Sequence, residues 1–276
     1  MLGLLLLQVL ASCLWLGHSN VVTPFDSCPQ FFYDGIPPND ALNPNNSAWI
    51  CQRFNNSYHY ATLYDRDKRI PVYSAYKYQP GSGIGPGSLL FVEPQLINPA
   101  YSKDMATEKY IDKTYHITLQ QIGQNQAITQ DYQNLQGLDR GQLCPFDHQS
   151  GDNSKMATFT LTNIVPQNSI LLEGAWKEYE YKTMGQNTQG CKTTYVITGA
   201  VPGITYISNN RVNLPSHIWS AACCLGDEEP TKAWGAIAEN YMNEVTVYSL
   251  RQLEEKLSKL YSGKTVTLFD DACPRE

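Results

Sequence analysis

The sequence predicts an α+β fold. Strand-like segments outnumber helical ones, and loops rather than regular helical crossovers join most of them, which favours α+β over a doubly wound sheet. Taken in order, Pro37–Ser47 is rich in Pro and Asn and reads as surface loop. Ala61–Tyr64 and Ile70–Tyr76 read as two short strands joined by the charged turn Asp65–Arg69. Gly81–Gly87 is a flexible glycine-rich loop; Pro86 and the lack of a following helix argue against a phosphate-binding role. Thr158–Asn163 alternates as a half-buried strand would. Ser169–Tyr181 has helical spacing, with Leu172, Ala175, Trp176 and Tyr179 at three- and four-residue steps. Thr194–Thr198 is a strand that should end at Gly199, and Glu244–Tyr248 another. The second runs into Ser249-Leu-Arg-Gln252, a capping box that opens a helix through Tyr261.

Composition narrows the class. Leu2–Leu16 is nearly continuous apolar sequence, and Gly17 and Ser19 are the small residues of a cleavage site, so residues 1–19 read as a signal peptide. The run is shorter than the ~20 residues a membrane span needs. No later stretch is long enough to cross a bilayer. Residues 20–276 are then expected to form one exported domain, large enough to bury a substantial core. An apolar content of 42% with 18 Tyr residues marks a globular chain. A net charge of −6 excludes nucleic-acid binding by bulk electrostatics; any such chemistry must rest on a local basic site.

Cysteine use agrees with export. Once Cys13 leaves with the signal, seven cysteines remain, so at least one is unpaired or pairs between chains. No C-x-x-C or H-E-x-x-H spacing suggests zinc. Asn45-Asn46-Ser47 and Asn55-Asn56-Ser57 are glycosylation sequons, which place Asn45 and Asn55 on the surface of an exported protein.

One constellation carries chemistry. Asp139-Arg140-Gly141-Gln142 is followed 21 residues after Gln142 by Asn163-Ile-Val-Pro-Gln167. Leu172 lies nine residues beyond Asn163, then come Trp176 and Glu180. This pattern resembles the DNA/RNA non-specific endonuclease family, whose core is a ββα-metal finger. That family reads D-R-G-H, then N-x-x-P-Q, then an Asn, a Trp and a Glu. Cys28–Pro38, Ile50–Arg53, Ile70–Tyr76, Val92–Leu96 and Leu214–Cys224 also resemble its secreted branch, so the likeness covers most of the chain after the signal.

The resemblance implies a central, mostly antiparallel sheet carrying a ββα-metal nuclease finger, with flanking helices. It implies phosphodiester hydrolysis of DNA or RNA with Mg²⁺ as cofactor. A histidine activates water, an Asn supplies the metal with an oxygen ligand, an arginine meets the phosphate, and a Glu holds metal-bound water. Carried over, Arg140 meets phosphate, Asn163 belongs to the substrate-binding set, and Glu180 is catalytic through metal-bound water. Gln142 occupies the general-base position and Leu172 the metal-ligand position. An amide accepts no proton near neutral pH and Leu binds no metal. A further family arginine aligns with Ser88.

Two substitutes are open. His148 lies six residues after Gln142, and Glu173 adjoins Leu172, although one helical step turns its side chain by about 100°. His59, His116 and His217 form no local pattern and read as structural, as do Trp176 and Tyr179. Cys28, Cys51, Cys191, Cys223, Cys224 and Cys273 match positions of the secreted branch and imply three disulfides. Sequence does not choose among their fifteen pairings. Cys144 is the odd one. The resulting expectation is an exported family member with a degenerate site that still faces a DNA or RNA phosphate backbone. The alternatives are an active Mg²⁺-dependent DNase/RNase with a rearranged site, and a non-catalytic ectodomain that binds an unidentified protein.

Overall fold

The computed structural model describes residues 25–227 and 229–276, so the signal peptide expected over 1–19 lies outside the described residues. In chain order the strands are β1 (Ser47–Phe54), β2 (Ser57–Asp65), β3 (Ile70–Lys77), β4 (Leu138–Gln142), β5 (Ile164–Asn168), β6 (Thr193–Val201), β7 (Thr205–Ile207), β8 (Val212–Leu214), β9 (His217–Leu225), β10 (Pro230–Glu239) and β11 (Thr246–Tyr248). The main helices are α1 (Glu108–Tyr115), α2 (Leu119–Ile122) and α3 (Asp152–Ala157). α4 runs from Ser169–Leu171 through the π-turns Leu172–Trp176 and Tyr179–Thr183 to Met184–Asn187, and α5 is Leu250–Leu260. Seven strands form one sheet in the order β1-β2-β3-β6-β9-β10-β11, every neighbour antiparallel. The expected α+β fold is therefore present.

Local chemistry sets the hairpins. β1 and β2 meet through Asn55 and Asn56, whose φ values of 50° and 61° suit a tight turn that matches strand twist. The β2–β3 turn is held by Asp65, whose carboxylate accepts the backbone N–H groups of Asp67 and Lys68 at 3.0 Å each. At α5 the capping box forms as expected, with Ser249 accepting from Gln252 N–H.

The sheet is covered on both faces. One face packs Tyr76, Val196 and Trp234 against the β4–β5–α4 finger. The other packs Tyr73, Ile197 and Trp219 under α5 through Leu250, Leu253 and Leu257. Double-sided burial gives near-continuous apolar strands without alternation. That is why β9 and β10 escape a period-two reading.

Three expected boundaries move. β6 continues past Gly199 to Val201, because Gly199 pairs on both sides, with Tyr73 and Trp219. The last strand begins at Thr246, not Glu244. Thr158–Asn163 is not a strand; it is a turn and a 3₁₀ segment, and the strand starts at Ile164. Its threonines are turned into buried polar contacts instead: Thr158 Oγ1 donates to the Lys155 carbonyl (2.8 Å), and Thr160 and Thr162 donate to the Glu93 carboxylate (2.7 and 3.0 Å).

All six expected cysteines pair, as Cys28–Cys51, Cys191–Cys224 and Cys223–Cys273. Cys223 and Cys224 are neighbours on β9, so their side chains leave opposite faces of the sheet and cannot serve one layer. Closing loops of 23, 33 and 50 residues contributes roughly 3–4 kcal/mol each by chain entropy. Cys144 is the free cysteine among the described residues, and it is buried.

Candidate functional site

β4 and β5 pair with Arg140 opposite Pro166 and Gln142 opposite Ile164, and α4 follows directly. This β-β-α unit sits on the sheet through Asn163. Asn163 is fully buried. Its Oδ1 accepts from Ser74 Oγ and from Cys144 N–H (2.8 Å each), and its Nδ2 donates to the carbonyls of Cys144 (3.0 Å) and Thr158 (2.9 Å). With every amide position engaged, Asn163 ties the finger to β3 and does not face phosphate. That corrects its expected place in the substrate-binding set. Gly141 lets the Gln167 side chain lie over β4, since a Cβ there would press on its Oε1 and Cβ.

Arg140 does face solvent. Asp139 Oδ1 accepts its backbone N–H at 2.8 Å, and its guanidinium has no ion-pair partner among the described residues. It lines a pocket of about 160 Å³ with Gly87, Leu90, Asp139, Gln142 and Phe159. Gln142 is half-buried and committed: Nε2 donates to the Thr158 carbonyl (2.9 Å) and hydroxyl (3.0 Å), and Oε1 accepts Phe146 N–H at 3.3 Å. The side chain at the general-base position therefore braces the loop that follows β4.

Leu172 packs against the finger-side core. Just beyond it α4 breaks at Gly174 (φ −106°, ψ −112°). Asn243, from the β10–β11 loop, fills the gap: its Oδ1 accepts Ala175 N–H at 2.8 Å, and a Cβ on Gly174 would lie 2.4 Å from that oxygen. Glu173 is exposed and paired with Lys177 at 2.8 Å. Glu180 Oε1 accepts from Trp176 Nε1 at 2.8 Å. Burial pushes the Glu180 carboxyl up to about 8, with the Trp176 bond opposing and Asp147 reinforcing the rise. Trp176 and Tyr179 are core residues, as expected.

His148 is not poised as a base. It is 3% exposed, and both ring nitrogens are used. Nε2 donates to the Glu180 carbonyl (2.9 Å), so Nδ1 is the acceptor from the Tyr76 hydroxyl (2.9 Å). Burial lowers its pKa to about 4. Because the folded value lies below the usual 6.5, His148 adds stability that is complete above pH 6.5 and is lost as pH falls through about 4. The expected loss is on the order of 3 kcal/mol. Denaturant unfolding between pH 7 and 4 checks this: His148→Gln should flatten the acid limb, and an unchanged limb would refute the assignment. Cys144 is equally inert, since burial pushes its thiol well up and disfavours the thiolate.

The residues do not fit the Mg²⁺ that the resemblance implies. The ligand position carries a hydrocarbon, which offers a divalent cation no oxygen. Two positioning residues were invisible in the sequence. Asn243 and Asn240 lie in an unpatterned polar loop, where Asn240 accepts Asn168 N–H (3.0 Å) and donates to the carbonyls of Pro166 (3.1 Å) and Pro215 (2.9 Å).

A ββα finger docked by a buried Asn on an antiparallel sheet, with a free arginine beside it, is the frame of a nuclease fold. The chain belongs to the DNA/RNA non-specific endonuclease family, whose sequence profile matches residues 37–275. It is similar to Endonuclease domain-containing 1 protein of Mus musculus, 33% identical over 254 residues that cover 90% of this chain and 48% of that protein. It is 35% identical over 205 residues to the protein of the same name from Homo sapiens, covering 72% of this chain and 39% of that one. The chain thus spans about half or less of the length of these relatives. A crystal structure described as the EndoG/EndoGI complex, on the mechanism of EndoG inhibition, shares the fold with a TM-score of 0.54 at 16% identity, over 91% of this chain and 94% of that one.

Proposed function

We propose that this chain binds the phosphate backbone of DNA or RNA through Arg140 and hydrolyses it weakly or not at all. One observation carries the reading: the general-base and metal-ligand positions hold Gln142 and Leu172, the first locked in structural hydrogen bonds and the second a hydrocarbon half-buried against the finger-side core. Losing a general base costs ~10²–10⁴ in rate. Losing metal stabilisation costs several kcal/mol more. Export of residues 20–276 as one domain belongs to the same proposal, supported by the apolar N-terminal run and the three disulfides. Among the described residues no helix is long and apolar enough to cross a membrane.

The test is purified protein against plasmid DNA and RNA with Mg²⁺ or Mn²⁺, beside binding measured across salt concentrations. Binding that weakens with salt, and weakens again in Arg140→Ala with a shallower salt slope by about one unit, is expected. Robust cleavage that disappears in Arg140→Ala or Glu180→Ala would overturn the proposal. Glu173 keeps a rearranged catalytic site in view, because it is exposed and lines a groove of about 540 Å³ with Asp147 and Glu180. Cleavage abolished by Glu173→Ala would support that second reading.

A further inference from the structure

We infer that an N-linked glycan on Asn55 lies in the groove beside it and braces the Gly81–Gly87 loop, one wall of the Arg140 pocket. Asn55 is exposed at the tip of the β1–β2 hairpin. It forms the rim of a groove of about 700 Å³ whose walls include Ile84, Pro86, Met105 and Met156, with Asp104 and Asp152 beside them. Ile84 is 74% exposed and offers the groove an apolar wall. The loop backbone is tied to the start of α3 by Ile84 N–H to Asp152 Oδ1 at 2.8 Å and by Gly151 N–H to the Ser82 carbonyl at 2.9 Å.

The groove suits a sugar. The first N-acetylglucosamine has an apolar face of C–H groups for Ile84, Pro86 and the methionines. Its hydroxyls and acetamide N–H are donors for Asp104 and Asp152. The turn that presents it is itself fixed, since Asn56 N–H donates to Asp104 Oδ2 at 3.1 Å. The occupant is covalently tethered at the rim, so it acts at very high effective concentration. The effect reaches the candidate site through the loop. Gly85 packs where a Cβ would stand 3.0 Å from the Phe146 ring and 3.4 Å from that of Phe159, and Gly87 lines the Arg140 pocket together with Phe159. Asn45, the other sequon, is exposed but does not line this groove.

The inference rests on the export reading. The experiment uses full-length protein secreted from mammalian cells, with glycan occupancy by intact and peptide mass spectrometry and hydrogen exchange over residues 81–87. The glycosylated protein should exchange there roughly fivefold more slowly than either Ser57→Ala, which removes the sequon and keeps Asn55, or protein treated with peptide N-glycosidase. Ser47→Ala, which removes the Asn45 sequon, should leave that segment unchanged. An unoccupied Asn55 in protein recovered from the medium overturns the inference and leaves export standing; protein that is retained in the cells and never reaches the medium overturns the export reading. A glycan at Asn55 with no slowing over 81–87 overturns the brace.

Discussion

Changing Gln142 to His together with Leu172 to Asn should create strong, divalent-metal-dependent cleavage of plasmid DNA. The frame for it is in place: Arg140 is free in solvent, and β4, β5 and α4 already hold the two positions on one finger. An imidazole at 142 can keep a donor bond to the Thr158 carbonyl, the partner Gln142 Nε2 now uses at 2.9 Å, and present its other nitrogen as an acceptor near neutral pH. An Asn at 172 supplies the oxygen that a divalent cation needs and that Leu lacks. Restoring the base is worth ~10²–10⁴ in rate. The metal adds several kcal/mol of charge stabilisation, tenfold for each ~1.4 kcal/mol. Each single variant should stay near the parent, because either change alone leaves the other function missing. Nicking rates with and without Mg²⁺ or Mn²⁺ decide it. A double variant that remains inert, or a parent that already matches it, would place the chemistry elsewhere.

Asn163→Ala should cost more stability than any other single change in the finger, about 3–5 kcal/mol. The substitution removes four hydrogen bonds at once. It strands the Cys144 N–H and carbonyl in a fully buried place, where each unpaired group costs ~1–3 kcal/mol before relaxation, while the Thr158 carbonyl keeps its bond from Gln142 Nε2. The loss is a large part of the ~5–15 kcal/mol that holds a domain together. Denaturant unfolding with an unchanged slope should show it. A loss under about 1 kcal/mol would mean that the finger is not held through Asn163.

Much of this was legible in the sequence because the relevant signals are local. The Asp65–Arg69 turn, the Ser249 capping box and the spacing from Arg140 to Glu180 each lie within one stretch of chain. What could not be read is long-range. β9 and β10 are buried on both faces and lose the alternation that marks a half-buried strand. Thr158–Asn163 alternates in composition, yet Thr160, Thr162 and Asn163 point into buried polar contacts contributed by the distant residues Glu93 and Ser74. His148 looks like a substitute base by proximity; only Tyr76, 72 positions away, and the Glu180 carbonyl reveal that its nitrogens are taken. Gly174 looks like an ordinary helix flaw until Asn243 arrives to fill the break.

The paired cysteines of β9 have a mechanical meaning. Cys273, in the C-terminal tail, is bonded to Cys223; the next residue, Cys224, is bonded to Cys191, four positions beyond the end of α4 at Asn187. A single peptide bond thus links two staples on opposite faces of the sheet. A pull on the tail is carried through covalent bonds to the foot of the finger helix, bypassing the hydrogen-bonded ladder. Tension that would peel the last strands from the sheet is delivered instead to the C-terminal end of α4.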